Sequence, residues 1–298
     1  MKVLNKTLSL AFFTCLYVQA KAQEISVSAG QSSDNKFTQS EPAKFVATFP
    51  ADKTAKDSYA ANGYLGLNFD ITSSATTLSL TGELQKNTLL AKQQDVQQYG
   101  IKVAQIVPFT GTLANPGLAM YVDASAKYSR DRVKDKKGAQ LILAFYFDNS
   151  NAAEGFKNYL RPNTIHPGAD SWVKDILQYR WTHSLGIEHI GYESLTMGNA
   201  TLGVEVFPFS GLLHKAFNKY DLIQLKWSIV DRFKIGSSTS ALYTGTLKTY
   251  GAGLNIMFDE DGTNALTIGY EHVDGGNPMK GLDDQKYGQL AIGAKVKF

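Results

Sequence analysis

Cysteine is almost absent from this 298-residue sequence, Cys15 being the only one. A disulfide scaffold is excluded, and so is a metal site built from several thiolates. A long hydrophobic run is missing too. The longest apolar stretch, Leu8 to Val18, is broken by Ser9 and Thr14. It falls short of the roughly 18 to 20 residues that a membrane-spanning helix needs, so a helical membrane protein is excluded. No basic run is longer than Lys136-Lys137, which leaves nothing to follow a nucleic-acid backbone. With 43% apolar and 19% charged residues, the chain is neither disordered nor collagen-like. None of these absences excludes a sheet that spans a membrane, because strands that alternate between lipid and interior average to an ordinary hydropathy.

The first residues read as an address. Lys2 and Lys6 give a positive start, Leu8 to Val18 a short apolar centre, and Ala20-Lys21-Ala22 the small-x-small pattern of a cleavage site. Residues 1–22 are expected to be a secretory signal peptide, with the mature chain from Gln23 and residues 23–41 as a periplasmic N-terminal segment. Bulky Phe12 and Phe13 before Cys15, and apolar Leu16 to Val18 after it, argue against a lipoprotein signal. Cleavage would take away Cys15 and with it any thiol nucleophile. It would also remove Lys2, Lys6 and Lys21, so that 30 basic residues become 27 against 27 acidic ones and the formal charge of +3 becomes zero. The sequence pI of about 8.7 is then no argument for an acidic partner.

What the sequence has in quantity is alternation. In 64–71, Leu65, Leu67, Phe69 and Ile71 fall on one face and Tyr64, Gly66, Asn68 and Asp70 on the other, which is the period of a strand. The same split recurs in 77–84, 99–107, 118–128, 139–147, 202–207, 223–233, 250–258, 266–272 and 289–298, in a weaker stretch at 45–49, and in an unusually long one at 172–192. Together they make about twelve strands, an even number as in single-chain bacterial barrels, which puts both chain ends on one side. On that count residues 73–76, 110–116 and 259–264 become periplasmic turns. Residues 51–59, 85–96, 131–137 and 274–284 become outer loops, the longer and more charged group. Residues 149–171 fall on the periplasmic side as an exception, either a genuine element there or the mark of a missed strand pair. Only 151–160 reads as helix.

The ending, Gln289-Leu-Ala-Ile-Gly-Ala-Lys-Val-Lys-Phe298, resembles the C-terminal β-signal of Gram-negative outer-membrane β-barrel proteins, an amphipathic last strand closed by an aromatic. Leu290, Ile292, Val296 and Phe298 carry its apolar face. The resemblance implies an all-β fold: an antiparallel transmembrane β-barrel in the cell outer membrane of a Gram-negative bacterium, with outer-membrane lipid and the barrel-assembly machinery as partners. A soluble antiparallel sandwich is the alternative, with shorter strands and more regular turns. Tyr99, Phe109, Tyr179, Trp181, Trp227, Phe233, Phe258 and Phe298 lie on the expected outward faces, several near strand ends, where bilayer interfaces collect aromatic rings.

The polar faces gather the candidate lining of the interior: Asp70, Glu83, Lys102, Asp123, Lys127, Arg180, Glu188, Glu205, Lys226, Arg232, Glu271 and Lys295. Their signs nearly balance. Unpaired they would line a water-filled pore, and paired across the interior they would close it. The expectation is a passive channel for small hydrophilic solutes. A closed structural or assembly barrel, partnering a secretion or surface-polymer export system, is the alternative. A lipid hydrolase stands third, since such a site wants His and Ser two apart on one lipid-facing side. His183 and His189 occupy the apolar face, but Leu185 and Gly191 stand two beyond them, and Ser184 and Glu188 point the opposite way.

Other motifs dissolve. Asp259-Glu-Asp-Gly262 begins like a calcium loop, but its glycine is in the fourth position and Tyr270 occupies the twelfth. His166 and His214 have no second ligand at metal spacing. No catalytic residue, metal, cofactor or nucleic-acid partner is expected, and the oligomeric state is left open.

Overall fold

The computed structural model describes residues 24–30, 43–48, 58–71, 75–88, 93–113, 117–149, 162, 166, 176–217, 223–236, 245–257 and 265–297. Every strand among them joins one antiparallel sheet. In chain order they are β1 (Glu24–Gly30), β2 (Ala43–Thr48), β3 (Ser58–Ile71), β4 (Thr76–Asn87), β5 (Gln94–Pro108), β6 (Leu118–Asp131), β7 (Lys136–Asn149), β8 (Leu177–Ile190), β9 (Leu195–Pro208), β10 (Ile223–Lys234), β11 (Thr246–Met257), β12 (Ala265–Asn277) and β13 (Leu282–Lys297). A short helix, α1 (Ser210–Phe217), follows β9. No helix among the described residues is long and apolar enough to cross a membrane.

From β3 onward each strand pairs with the next, in a simple meander that ends at β13. The two short strands sit differently. β1 pairs with β3 at Tyr64–Asp70 and β2 pairs with β3 at Ser58–Asn62, so they occupy successive stretches of the same strand. Both also pair with β13, β2 through Ile292–Ala294 and β1 through Val296–Lys297. β1 is a strand where sequence reading placed only a periplasmic segment. Its run Glu-Ile-Ser-Val-Ser-Ala-Gly alternates, but over a length too short to stand out beside the signal peptide.

Alternation reappears as burial. Along β5, Gln94, Val96, Gln98, Lys102 and Ala104 are buried while Tyr99, Ile101 and Val103 are exposed. The strands end where the turn chemistry allows. At the β6–β7 turn, Asp131 Oδ1 accepts from the backbone N–H groups of Val133 and Lys134 at 3.0 Å each, an aspartate turn that frees the chain to reverse. The long strand expected over 172–192 stops at Ile190, because Gly191–Glu193 forms a 3-10 turn and Ser194 takes a left-handed φ of 48°. β9 accordingly begins at Leu195, earlier than the 202–207 expected.

The connections alternate between two ends, and their sizes match the expectation only in part: 72–75 at the end of the chain termini is short as expected, and 235–245 at the other end is long. At the end away from the chain termini, β6–β7, β8–β9 and β12–β13 are joined by tight turns at 132–135, 191–194 and 278–281. At the end of the termini lie the long connections 150–176 and 209–222. Of residues 149–171, Asn149 ends β7 and only Pro162 and His166 are described besides; β7 pairs with β8 over Gln140–Phe145, and His166 bridges to Tyr179 of β8. The helix expected over 151–160 lies outside the described residues. The helix that is described, α1, was not expected, since Ser210 can cap a first turn but the preceding Val-Glu-Val-Phe run masks the change of period.

Candidate functional site

The sheet is inverted relative to a water-soluble one. Its buried face carries charge and amide groups: Glu83, Gln98, Lys102, Asp123, Lys127, Gln140, Arg180, Glu188 and Arg232 are all buried. Its exposed face carries Leu65, Tyr99, Ile101, Leu141, Leu185, Ile187, Leu225, Leu254, Ile268, Leu290 and Ile292. An exposed apolar face of this extent, running over nearly every strand, marks a surface that lipid or another protein covers.

The charges predicted to line the interior are brought together in pairs. Lys127 Nζ lies 3.2 Å from Glu83 Oε2, the two side chains being 2% and 1% exposed. Lys102 Nζ lies 3.1 Å from Asp123 Oδ2. Arg180 Nε donates to Glu205 Oε2 at 2.5 Å, and Gln224 Nε2 donates to Glu205 Oε1 at 2.8 Å. Arg232 meets Glu188 through two hydrogen bonds, from Nε at 2.8 Å and Nη2 at 3.3 Å. Lys226 Nζ lies 3.1 Å from Glu271 Oε1. Asp70 accepts a hydrogen bond from the Thr77 hydroxyl. Only Lys295 escapes description: its backbone is in β13 and its side chain lies outside the described residues, as do the side chain of Val296 and all of Phe298. Leu290, 70% exposed, and Ile292 present the apolar face expected of them.

Register explains the pairing. Arg180 and Glu205 are direct cross-strand partners, whereas Lys102 and Asp123 are offset by two along β5 and β6, and both geometries bring long side chains into reach. Lys127 reaches past β5 to β4, lying over Gly100, where a Cβ would meet its Cγ at 2.9 Å, and Arg232 reaches past β9 to β8.

One part of this face was not foreseen. The β12–β13 turn, expected within an outer loop at 274–284, instead folds onto the buried faces of strands that are not its neighbours in the sheet. Met279 packs with Ile190, Leu195 and Met197, with Ile142 and Tyr192 against the cluster. Burial there pushes the Tyr192 phenol up from its ordinary pKa. Gln98 Nε2 donates to the Met279 carbonyl at 2.6 Å and Gln94 Nε2 to the Lys280 carbonyl at 2.7 Å. Lys280 Nζ lies 3.5 Å from Glu83 Oε1, giving that carboxylate a second lysine. The turn is also fitted closely: Gly281 has a φ of +67°, and a Cβ there would meet Val96 Cγ2 at 2.4 Å and Asp131 Oδ2 at 3.0 Å. The only sequence signal was a methionine between proline and lysine in an otherwise polar turn.

His183 and His189 take the outer face as expected. His183 is half-buried and stacks on Trp181 at 5.2 Å between ring centroids. His189 Nδ1 lies 2.9 Å from Thr196 Oγ1 on β9. His166 is buried and bridges Tyr179 by reciprocal backbone hydrogen bonds of 2.7 Å. Tyr99, Phe109 and Phe233 are exposed, Tyr179, Trp181 and Trp227 are half-buried, and Phe258 lies outside the described residues. Among the described residues, no group of three or more His, Cys, Asp or Glu is placed to hold a metal ion. Residues 259–262 lie outside the described residues.

No protein-family model and no curated protein matches this chain.

Proposed function

We propose that the chain is a transmembrane β-barrel of the Gram-negative outer membrane, closed by its own interior, and that it serves as a structural or assembly barrel instead of a passive channel. The count supports twelve strand positions: β1 and β2 share one place between β13 and β3, and the remaining strands fill the others in chain order. A polar interior under an apolar exterior is the arrangement that lipid demands, since backbone groups must be satisfied within the sheet and lipid-facing side chains must be apolar. Outer-membrane lipid then covers the exposed face, and the β13 ending is the segment that the barrel-assembly machinery would read.

The observation that carries the closed reading is the β12–β13 turn, seated on buried side chains of β4, β5, β8 and β9 by two amide-to-carbonyl hydrogen bonds and a lysine to Glu83. The paired charges act in the same sense, because a carboxylate already matched to an ammonium offers little field to a passing ion. The partner of a closed barrel, in secretion or surface-polymer export, would meet the terminal-side connections. Purified protein in a planar bilayer is expected to give no sustained current. Discrete openings whose size scales with salt would instead restore the channel for small hydrophilic solutes.

A further inference from the structure

We infer that α1 and the chain beside it form a membrane-interface anchor whose partner is the lipid surface at the end of the sheet that carries the chain termini. This rests on the transmembrane reading above. Connections that leave a bilayer normally turn polar residues to water. Here three apolar residues do the opposite: Ile176, Phe209 and Leu212 are 53%, 54% and 52% exposed.

They are held there by backbone. Phe209 has a φ of 57°, a left-handed conformation that a bulky side chain adopts only when its surroundings impose it. Its N–H donates to the Ile176 carbonyl at 2.7 Å, tying the β9–α1 junction to the chain entering β8, and its carbonyl accepts from Leu213 N at 2.8 Å. Ser210 and Gly211 are buried while Leu212, Lys215 and Ala216, three and four residues apart on one face, are exposed.

Its level along the sheet identifies the occupant. Leu177 pairs with Pro208, immediately before Phe209. The next outward residues in register are Tyr179, Val206 and Leu225, then Trp181, Val204 and Trp227. Tyrosine and tryptophan collect at the headgroup level of a bilayer, where their rings are half in hydrocarbon and half wet. α1 thus begins within two residue pairs of that belt, and Leu177 and Leu225, at the strand ends before it in register, are exposed as well. A short helix that exposes Leu212 beside Lys215, with Phe209 exposed just before its first turn, lies in the interface, with its apolar residues about 5–10 Å into the headgroup boundary. The same lipid that covers the strand faces covers it.

The test uses the full chain with Cys15→Ser and single cysteines carrying a fluorophore, folded into phosphatidylcholine vesicles that contain nitroxide lipids. Labels at Leu212→Cys and at Ala216→Cys are expected to lose roughly two-fold or more of their emission, more to a nitroxide near the headgroup than to one deep in the chain. A label at Leu254→Cys, on the exposed face of β11, is expected to respond to the deep one. Quenching at Leu254→Cys without quenching at either helix position overturns the anchor and leaves the transmembrane reading standing. Absence of quenching at all three positions overturns both.

Discussion

Glu83 holds two lysines at once, Lys127 on β6 and Lys280 in the β12–β13 turn, while Gln85 Nε2 donates to its Oε1 at 2.8 Å. With Lys127 2% exposed, taking the carboxylate away removes a counter-charge from a buried ammonium. Breaking one member of such a pair destabilises by about 3–5 kcal/mol, whereas replacing both members by apolar groups of similar volume is often neutral. Glu83→Gln is therefore expected to lower the temperature at which folded protein converts to the unfolded band on a gel. The double variant Lys102→Met with Asp123→Leu should fall much less, although it too removes a buried pair. Equal losses in the two variants would mean that these pairs contribute through shape and not charge. The sequence placed these residues on one polar face but did not say who meets whom. Lys127 reaches Glu83 across an intervening strand, a contact that depends on how far the sheet curves and that alternation does not encode.

At the scale of elements, the β12–β13 turn does what no strand does: it leaves its own edge of the sheet and packs on the far side. Gly281 makes that possible by its left-handed backbone and by lacking a Cβ where Val96 stands. Gly281→Val meets both obstacles, so the turn should lift from its seat while β12 and β13, paired continuously from Ala265 to Gly275, remain. The expected result is a folded protein that passes ion current in a planar bilayer where the parent passes none. A folded but silent Gly281→Val protein would place the closure elsewhere, in the paired charges. Strand positions were legible from period-two alternation because each strand has one face in each environment. The hairpin at 191–194 was not, because the alternation of β8 runs on through Tyr192 and hides the turn. α1 was missed for a related reason: an eight-residue helix between strands has too few turns to establish its own period.

For the molecule as a whole, the buried polar face and the exposed apolar face predict how it behaves outside a membrane. In detergent the folded form should migrate faster on an unheated gel than the heated form, since the extensively hydrogen-bonded sheet of the proposed barrel resists dodecyl sulfate until heat opens it. In cells the protein should sediment with the outer-membrane fraction. A soluble protein with no heat-dependent mobility would remove the basis for the membrane reading. The sequence by itself determined that the chain is all-β and antiparallel, which residues share a face, and that the charges on the polar face nearly cancel, because these follow from a two-residue period that each strand carries locally. The tertiary structure decided the rest: that β1 and β2 fill one place between β3 and β13, that the charges meet in particular pairs, and that a turn expected in solvent is seated among Ile190, Leu195 and Met197. Those features depend on sheet curvature and on contacts between residues far apart in the chain, and local periodicity holds no information about either.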